Sequence, residues 1–290
     1  MPSFRNGFKG KPLLTKQRRF RERLSAYRAS KGTRPRRQIP RVAVPSFFTL
    51  MNLLCGFGAI IQIHEGRFDL AGWLIVFAGF FDALDGMMAR LTNATSLFGI
   101  ELDSLSDIVS FGVAPGFLVY VYGLEKFGLL GLIVSALPAL CGAVRLARFN
   151  ISVDTEGDKP EYFSGLPIPI QAAAIVAIIL NIHDAAWLNR FNFSTVSLLI
   201  PIVAALAGLM VSTIPFDALP KPTLRYIRRH PYKSGACALG LLLTIFFQQV
   251  GLLIAIVLYL LFGLVHAGIR VFRAIMNTPT EPAAPNEEFT

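Results

Sequence analysis

The stretch FFDALDGMMARLTNATSLFGIELDSLSDIVSFG, residues 80–112, sets four aspartates, Asp82, Asp85, Asp103 and Asp107, in a mostly apolar run. An ionised Asp at mid-bilayer costs about 2.5–3.5 kcal/mol on insertion scales. Four of them on two adjacent apolar helices need something to neutralise them, and a divalent metal does so while turning a liability into a catalytic site. Asp82 and Asp85 are three apart and share a helix face. Gly99, Asp103 and Asp107 are spaced by four and form one stripe on the next helix. A short turn around Thr92–Ser96 makes the two helices antiparallel neighbours and brings the stripes together.

The rest of the chain supplies the membrane context. Of its 290 residues, 53% are hydrophobic and only 16% charged, with a mean hydropathy of +0.54, whereas a soluble domain carries about 25% charged residues. Apolar segments recur at about 43–63, 69–90, 98–121, 127–147, 165–182, 195–214, 234–249 and 251–272. The expected fold is therefore all-α, a polytopic transmembrane bundle of about eight spans. The last two spans form either a tight hairpin or one broken segment. Strand-like alternation is absent, which excludes a membrane barrel. Cys55, Cys141 and Cys237 lie in apolar runs without a CxxC pair and read as buried small hydrophobes, not a disulfide framework or zinc site.

Charge orders the chain into parts. Residues 1–42 form a basic arm with 14 of the 28 Lys and Arg. It has no apolar h-region, so it is no secretory signal. No motif supports nucleic acid binding, and a cytosolic tail resting on anionic membrane lipids is the simpler account, partly as an interfacial helix. Residues 43–214 form a six-helix catalytic core, 215–233 a basic loop, 234–272 two additional helices, and 273–290 a disordered tail. With the N-terminus inside, 25 of 28 Lys and Arg fall on inside segments and only Arg67, Lys126 and Arg190 outside. This asymmetry predicts both termini in the cytosol, with the four aspartates near the cytosolic face. His64, Glu65, His183 and Asp184 then lie in outside loops, and His266 is alone in the last span.

A cluster of carboxylate oxygens suits hard cations such as Mg²⁺ or Mn²⁺, and four carboxylates have room for two ions, the arrangement that clamps a diphosphate. Gly86, Ala89 and Gly99 remove bulk beside the acids and permit close approach of a helix or a phosphorylated ligand. Arg90, at a helix end, can snorkel to the interface and meet phosphate.

The pattern Asp82-x2-Asp85-Gly86-x2-Ala89-Arg90-x8-Gly99-x3-Asp103-x3-Asp107 resembles, at every fixed position, the signature of the CDP-alcohol phosphatidyltransferase family. The resemblance implies an integral membrane enzyme that displaces CMP from a CDP-linked alcohol with a hydroxyl acceptor and divalent metal. By that resemblance Asp82, Asp85 and Asp103 bind metal. Asp107 helps to coordinate metal and acts as general base, and Gly86, Ala89 and Arg90 border the CDP moiety.

Two further segments, RLARFN (Arg145–Asn150) and YFSGLPIPIQAAA (Tyr162–Ala174), look like those of the phosphatidylserine synthases of that family. The opening PSFFTLMNLLCGFG is also similar, keeping Thr49, Asn52 and Gly56 but carrying Ser46 where Asn is usual, and the resemblance implies that Thr49, Asn52 and Gly99 join Gly86, Ala89 and Arg90 in binding the CDP phosphates. The resemblance thus implies CDP-diacylglycerol and L-serine as substrates, a homodimer, and the bacterial plasma membrane. Arg145 and Arg148 end a span at the level of the aspartates and can hold lipid phosphates or the serine carboxylate, unless they are inside anchors. Asn150 adds a directional hydrogen bond. The same chemistry with glycerol 3-phosphate, inositol phosphate or choline is the close alternative. A divalent-cation transporter is the alternative of another class, disfavoured by acids clustered at one membrane face and by the neighbouring arginines.

Overall fold

The computed structural model describes residues 43–92, 97–156, 162–184, 195–217 and 231–276. The basic arm, the centre of the Thr92–Ser96 turn, Arg190, most of the 215–233 loop and the tail beyond Met276 lie outside the described residues. The helices are α1 (Ala43–His64), α2 (Phe68–Thr92), α3 (Leu97–Asp107), α4 (Ala114–Tyr122), α5 (Gly128–Glu156), α6 (Ile168–Asp184), α7 (Thr195–Val211) and α8 (Pro231–Met276). Among the described residues, five stretches are long and apolar enough to cross a membrane: Ser46–His64, Phe68–Ala89, Phe98–Tyr122, Leu124–Asn150 and Gly235–His266. Ile168–His183 and Val196–Val211 are shorter apolar helices.

Helix α6 runs through the middle of the bundle. It packs on α2, α4 and α8, and Ala172, Ile175, Val176, Ile179 and Leu180 on it are buried. A helix that is apolar around most of its circumference belongs in such a position. Helix α1 lies along α2 and also against α3 and α4, while α5 packs on α4 and α7. Phe57, Phe77, Phe80, Leu129 and Phe246 are exposed on the outer faces, where lipid tails are as apolar as their own side chains.

Three local features depart from regular helices. Ile108–Val113 is a π-helical turn joining α3 to α4, in which the Ala114 N–H reaches back five residues to the Val109 carbonyl. Pro115 explains it. A proline lacks the N–H for the bond to residue 111 and its ring crowds that carbonyl, and a widened turn relieves both. Second, Tyr162–Ser164 (β1) pairs antiparallel with Pro215–Asp217 (β2), Phe163 opposite Phe216, a small exception to the all-α expectation. Gly165 follows β1 at φ +83, and a Cβ there would lie 2.2 Å from the Met210 carbonyl oxygen. The N–H groups of Gly165 and Leu166 donate to the carbonyls of Ile214 (2.9 Å) and Leu209 (3.0 Å). The GLP turn is thereby fastened to the end of α7.

The third is a break in α8 at Gln248, whose φ is 47. A Cβ on Gly240 would sit 3.3 Å from that of Ala255, and one on Gly251 2.9 Å from the Thr244 nitrogen. Fifteen residues of straight helix would hold residues 240 and 255 about 22 Å apart. Helix α8 is therefore folded back on itself, which decides between the hairpin and the broken segment. The Asn181 side-chain amide donates to the Gln249 carbonyl at 2.8 Å. That bond occupies a backbone acceptor exposed by the break and pins the hairpin turn to α6.

Candidate active site

Helices α2 and α3 carry the four aspartates, and α1 fixes how they are presented. Carboxylate oxygens of Asp82, Asp103 and Asp107 all lie within 4.8 Å of one another. Asp82 comes from α2, and Asp103 and Asp107 come from consecutive turns of α3, as the spacing by four requires. Asp85 takes a different partner: the Thr49 hydroxyl of α1 donates to its Oδ2. Asp85 still interacts electrostatically with Asp82 and Asp103, so it borders the trio without being one of the three closest.

Helix α1 meets α3 and the π-helical turn that follows it along one stripe. The Asn52 side-chain amide donates to Asp107 Oδ1 at 3.0 Å. The Ser106 hydroxyl donates to the Thr49 carbonyl and the Ser110 hydroxyl to the Asn52 carbonyl, each at 3.0 Å. Thr49, Asn52, Ser106 and Ser110 are all buried. A Cβ on Gly56 would fall 2.3 Å from Ser110 Oγ and 2.7 Å from its Cα. Only glycine lets the two backbones come this close. The Thr49, Asn52 and Gly56 stripe is thus a clamp in which two side chains hold acids and the third position admits the neighbouring helix.

The remaining expected residues divide. Gly86, Ala89 and Gly99 are half-buried on the same helices as the acids. The Arg90 side chain lies outside the described residues. Arg145, on α5, interacts electrostatically with Asp107, so the structure brings it to the acids. Arg148 is exposed and donates to the Val211 carbonyl at 3.1 Å. That is a carbonyl of the last turn of α7, which has no partner in its own helix, and a cation there also meets the negative end of the helix dipole. Asn150 donates to the Ser104 hydroxyl at 3.2 Å, next to Asp103. Ser106 and Ser110 carry no ligand-like signal in the sequence. Their position on the Asp103–Asp107 face, one residue before and three after Asp107, was the only clue to them.

The donor set fits a hard divalent cation. Three carboxylates from two rigid helices converge, and no His or Cys joins them among the described residues. Oxygens around a magnesium-like ion at about 2.1 Å stand roughly 3–4 Å apart, a spacing compatible with carboxylate oxygens that all lie within 4.8 Å of one another. Without a cation, three acids this close repel one another in a low-dielectric setting.

Residues 42–214 match the sequence model of the family described as CDP-alcohol phosphatidyltransferase, and the acids, the α1 clamp and Arg145 all lie inside that range. The chain belongs to the CDP-alcohol phosphatidyltransferase family. It is 41% identical to a CDP-diacylglycerol–serine O-phosphatidyltransferase of Helicobacter pylori over 63% of this chain and 75% of the relative. A Bacillus subtilis enzyme of the same description is 35% identical over 61% of this chain and 92% of its own length. An archaetidylserine synthase of Methanothermobacter thermautotrophicus is 36% identical over 60% and 70%. The α8 hairpin lies beyond the family match.

Proposed function

We propose that this phosphatidyltransferase moves the phosphatidyl group of CDP-diacylglycerol to the hydroxyl of L-serine, giving phosphatidylserine and CMP. The observation that carries this is the convergence of Asp82, Asp103 and Asp107, with Asp107 held by Asn52 and neighboured by Arg145. Serine as acceptor is supported by the names of the bacterial and archaeal relatives.

In this scheme Asp82, Asp85, Asp103 and Asp107 hold Mg²⁺ or Mn²⁺, as two ions. When bound, the metal polarises the diphosphate and stabilises the departing CMP. The serine oxygen forms a bond to the phosphorus that carries diacylglycerol, the bond from that phosphorus to CMP breaks, and Asp107 receives the hydroxyl proton. The Asn52 amide keeps the Asp107 carboxylate oriented for that transfer. Thr49 does the same for Asp85. Gly86, Ala89, Arg90 and Gly99 border the cytidine diphosphate. Arg145 holds the serine carboxylate or a lipid phosphate. Arg148 and Asn150 secure the surrounding wall through the α7 carbonyl and Ser104.

The setting completes the proposal. Counting the two limbs of the α8 hairpin separately, the chain crosses the membrane eight times. The 25-to-3 distribution of Lys and Arg supports both termini and the site on the cytosolic side, in a bacterial plasma membrane. The basic arm rests on anionic lipid, and the protein works as a homodimer. The deciding experiment incubates purified protein with labelled CDP-diacylglycerol and offers serine, glycerol 3-phosphate, inositol phosphate and choline separately. CMP release with phosphatidylserine formation from serine alone is expected. A different lipid product reassigns the acceptor, and no CMP release with any acceptor refutes the chemistry.

A further inference from the structure

The C-terminal hairpin brings a polar side chain back to the site from outside the family match. Its second limb starts at the Asn181–Gln249 hydrogen bond and packs along α6, burying Leu252 and Ile256, with Tyr259 packed against the same core. Gln171 is ten residues before Asn181 on α6, and Tyr259 is ten residues after Gln249 on the hairpin. The two helices run antiparallel, because the limb leaves Gln249 at the C-terminal end of α6 and packs back along that helix, burying Leu252 and Ile256. Ten residues on each helix span about 15 Å, so Tyr259 and Gln171 stand at one level.

Arg145 reaches that level from α5. Gly142, one turn before it, faces Ile168 and Ile108, with the Ile168 and Ile108 methyls 3.6 and 3.7 Å from where its Cβ would be. Helical side chains lean toward the N-terminus of their helix, and the Arg145 side chain interacts electrostatically with both Asp107 and Tyr259. Gln171 points to the character of the space between. At about 100° per residue it lies roughly 80° around α6 from Asn181, which faces the hairpin, and roughly 60° from Ile168, which faces α5. It is fully buried, and neither its Nε2 nor its Oε1 has a hydrogen-bond partner among the described residues. An unpartnered buried amide is costly in a protein interior, so this position calls for a polar guest.

We propose that Tyr259 is a positioning residue that sets the Arg145 guanidinium toward Asp107, and that Tyr259 and Gln171 form the inner wall of a pocket for the polar end of the acceptor. The α8 hairpin is thus part of the acceptor site and not only a membrane anchor. This rests on the acceptor assignment above, with Arg145 as the carboxylate-binding group.

The test is Tyr259→Phe in the full-length protein, with KM measured separately for L-serine and CDP-diacylglycerol, alone and combined with Arg145→Lys. Loss of a hydroxyl that orders a charged group raises KM for serine about five- to tenfold. The KM for CDP-diacylglycerol and the thermal midpoint stay unchanged, and Tyr259→Phe adds no further rise to Arg145→Lys. An unchanged serine KM overturns the proposal. So do parallel shifts in both KM values and the thermal midpoint, multiplicative effects in the double variant, or a Tyr259→Phe protein that fails to fold, each of which marks the hydroxyl as structural. Wild-type protein that turns over another acceptor but not serine refutes the acceptor assignment instead, and the same comparison is then made with the acceptor it uses.

Discussion

Asn52→Ala isolates the contribution of the α1 clamp to the reaction. Asn52 is fully buried and its amide donates to Asp107 Oδ1 at 3.0 Å. Its backbone is held independently by Ser110, and alanine is the best helix former, so α1 keeps its course in the variant. What is lost is one hydrogen bond to an ionised acceptor, worth about 1.5–3 kcal/mol. If Asp107 must be oriented to take the acceptor proton, that loss falls on the transition state and lowers kcat/KM about 10- to 150-fold. CMP release from labelled CDP-diacylglycerol measures it, with lipid-substrate binding followed in parallel. Asp107→Asn sets the floor of the same assay: turnover is removed while CDP-diacylglycerol binding is largely kept. A folded Asn52→Ala protein with kcat/KM within twofold of wild type refutes the positioning argument. Full activity in Asp107→Asn refutes the general-base role.

Two further perturbations probe the metal and the helix contact. Chelation removes turnover and added Mg²⁺ or Mn²⁺ restores it, since three carboxylates within 4.8 Å of one another repel without a bound cation; undiminished CMP release in chelator sinks the ligand assignment. Gly56→Ala gains about 1 kcal/mol of helix propensity but drives a methyl to 2.7 Å from the Ser110 backbone, an overpacking cost of about 1–3 kcal/mol. The clash wins, and the thermal midpoint of the solubilised protein falls, whereas Gly208→Ala, inside α7 with nothing within 4 Å of its Cβ, takes the propensity gain without a clash and raises it. Equal midpoints for the two variants contradict the close approach of α1 to α3.

The acids were legible because helical geometry acts over three or four residues. Asp82 with Asp85, and Asp103 with Asp107, are neighbours on any helix that carries them, and hydropathy alone puts those helices in a membrane. Resemblance to a family pattern added Thr49, Asn52 and Gly56. The division of labour among them was not legible. Thr49 reaches Asp85 across 36 residues and Asn52 reaches Asp107 across 55, and the crossing of α1 over α3 that makes both possible is set by Gly56 against Ser110. Arg145 and Arg148, three residues apart, looked equivalent, yet one faces Asp107 and the other the end of α7. One more turn of α5 carries the second past the acids.

The chain by itself determined a helical membrane protein with four carboxylates on two neighbouring faces, because side-chain periodicity and the cost of burying charge are local properties. Only the tertiary structure decided which three acids come closest, that a serine-lined stripe binds α1 to them, and that α8 turns back at Gln248 to pack along α6. Those outcomes depend on helix crossings and on one hairpin turn, where contacts between distant residues outweigh local preference.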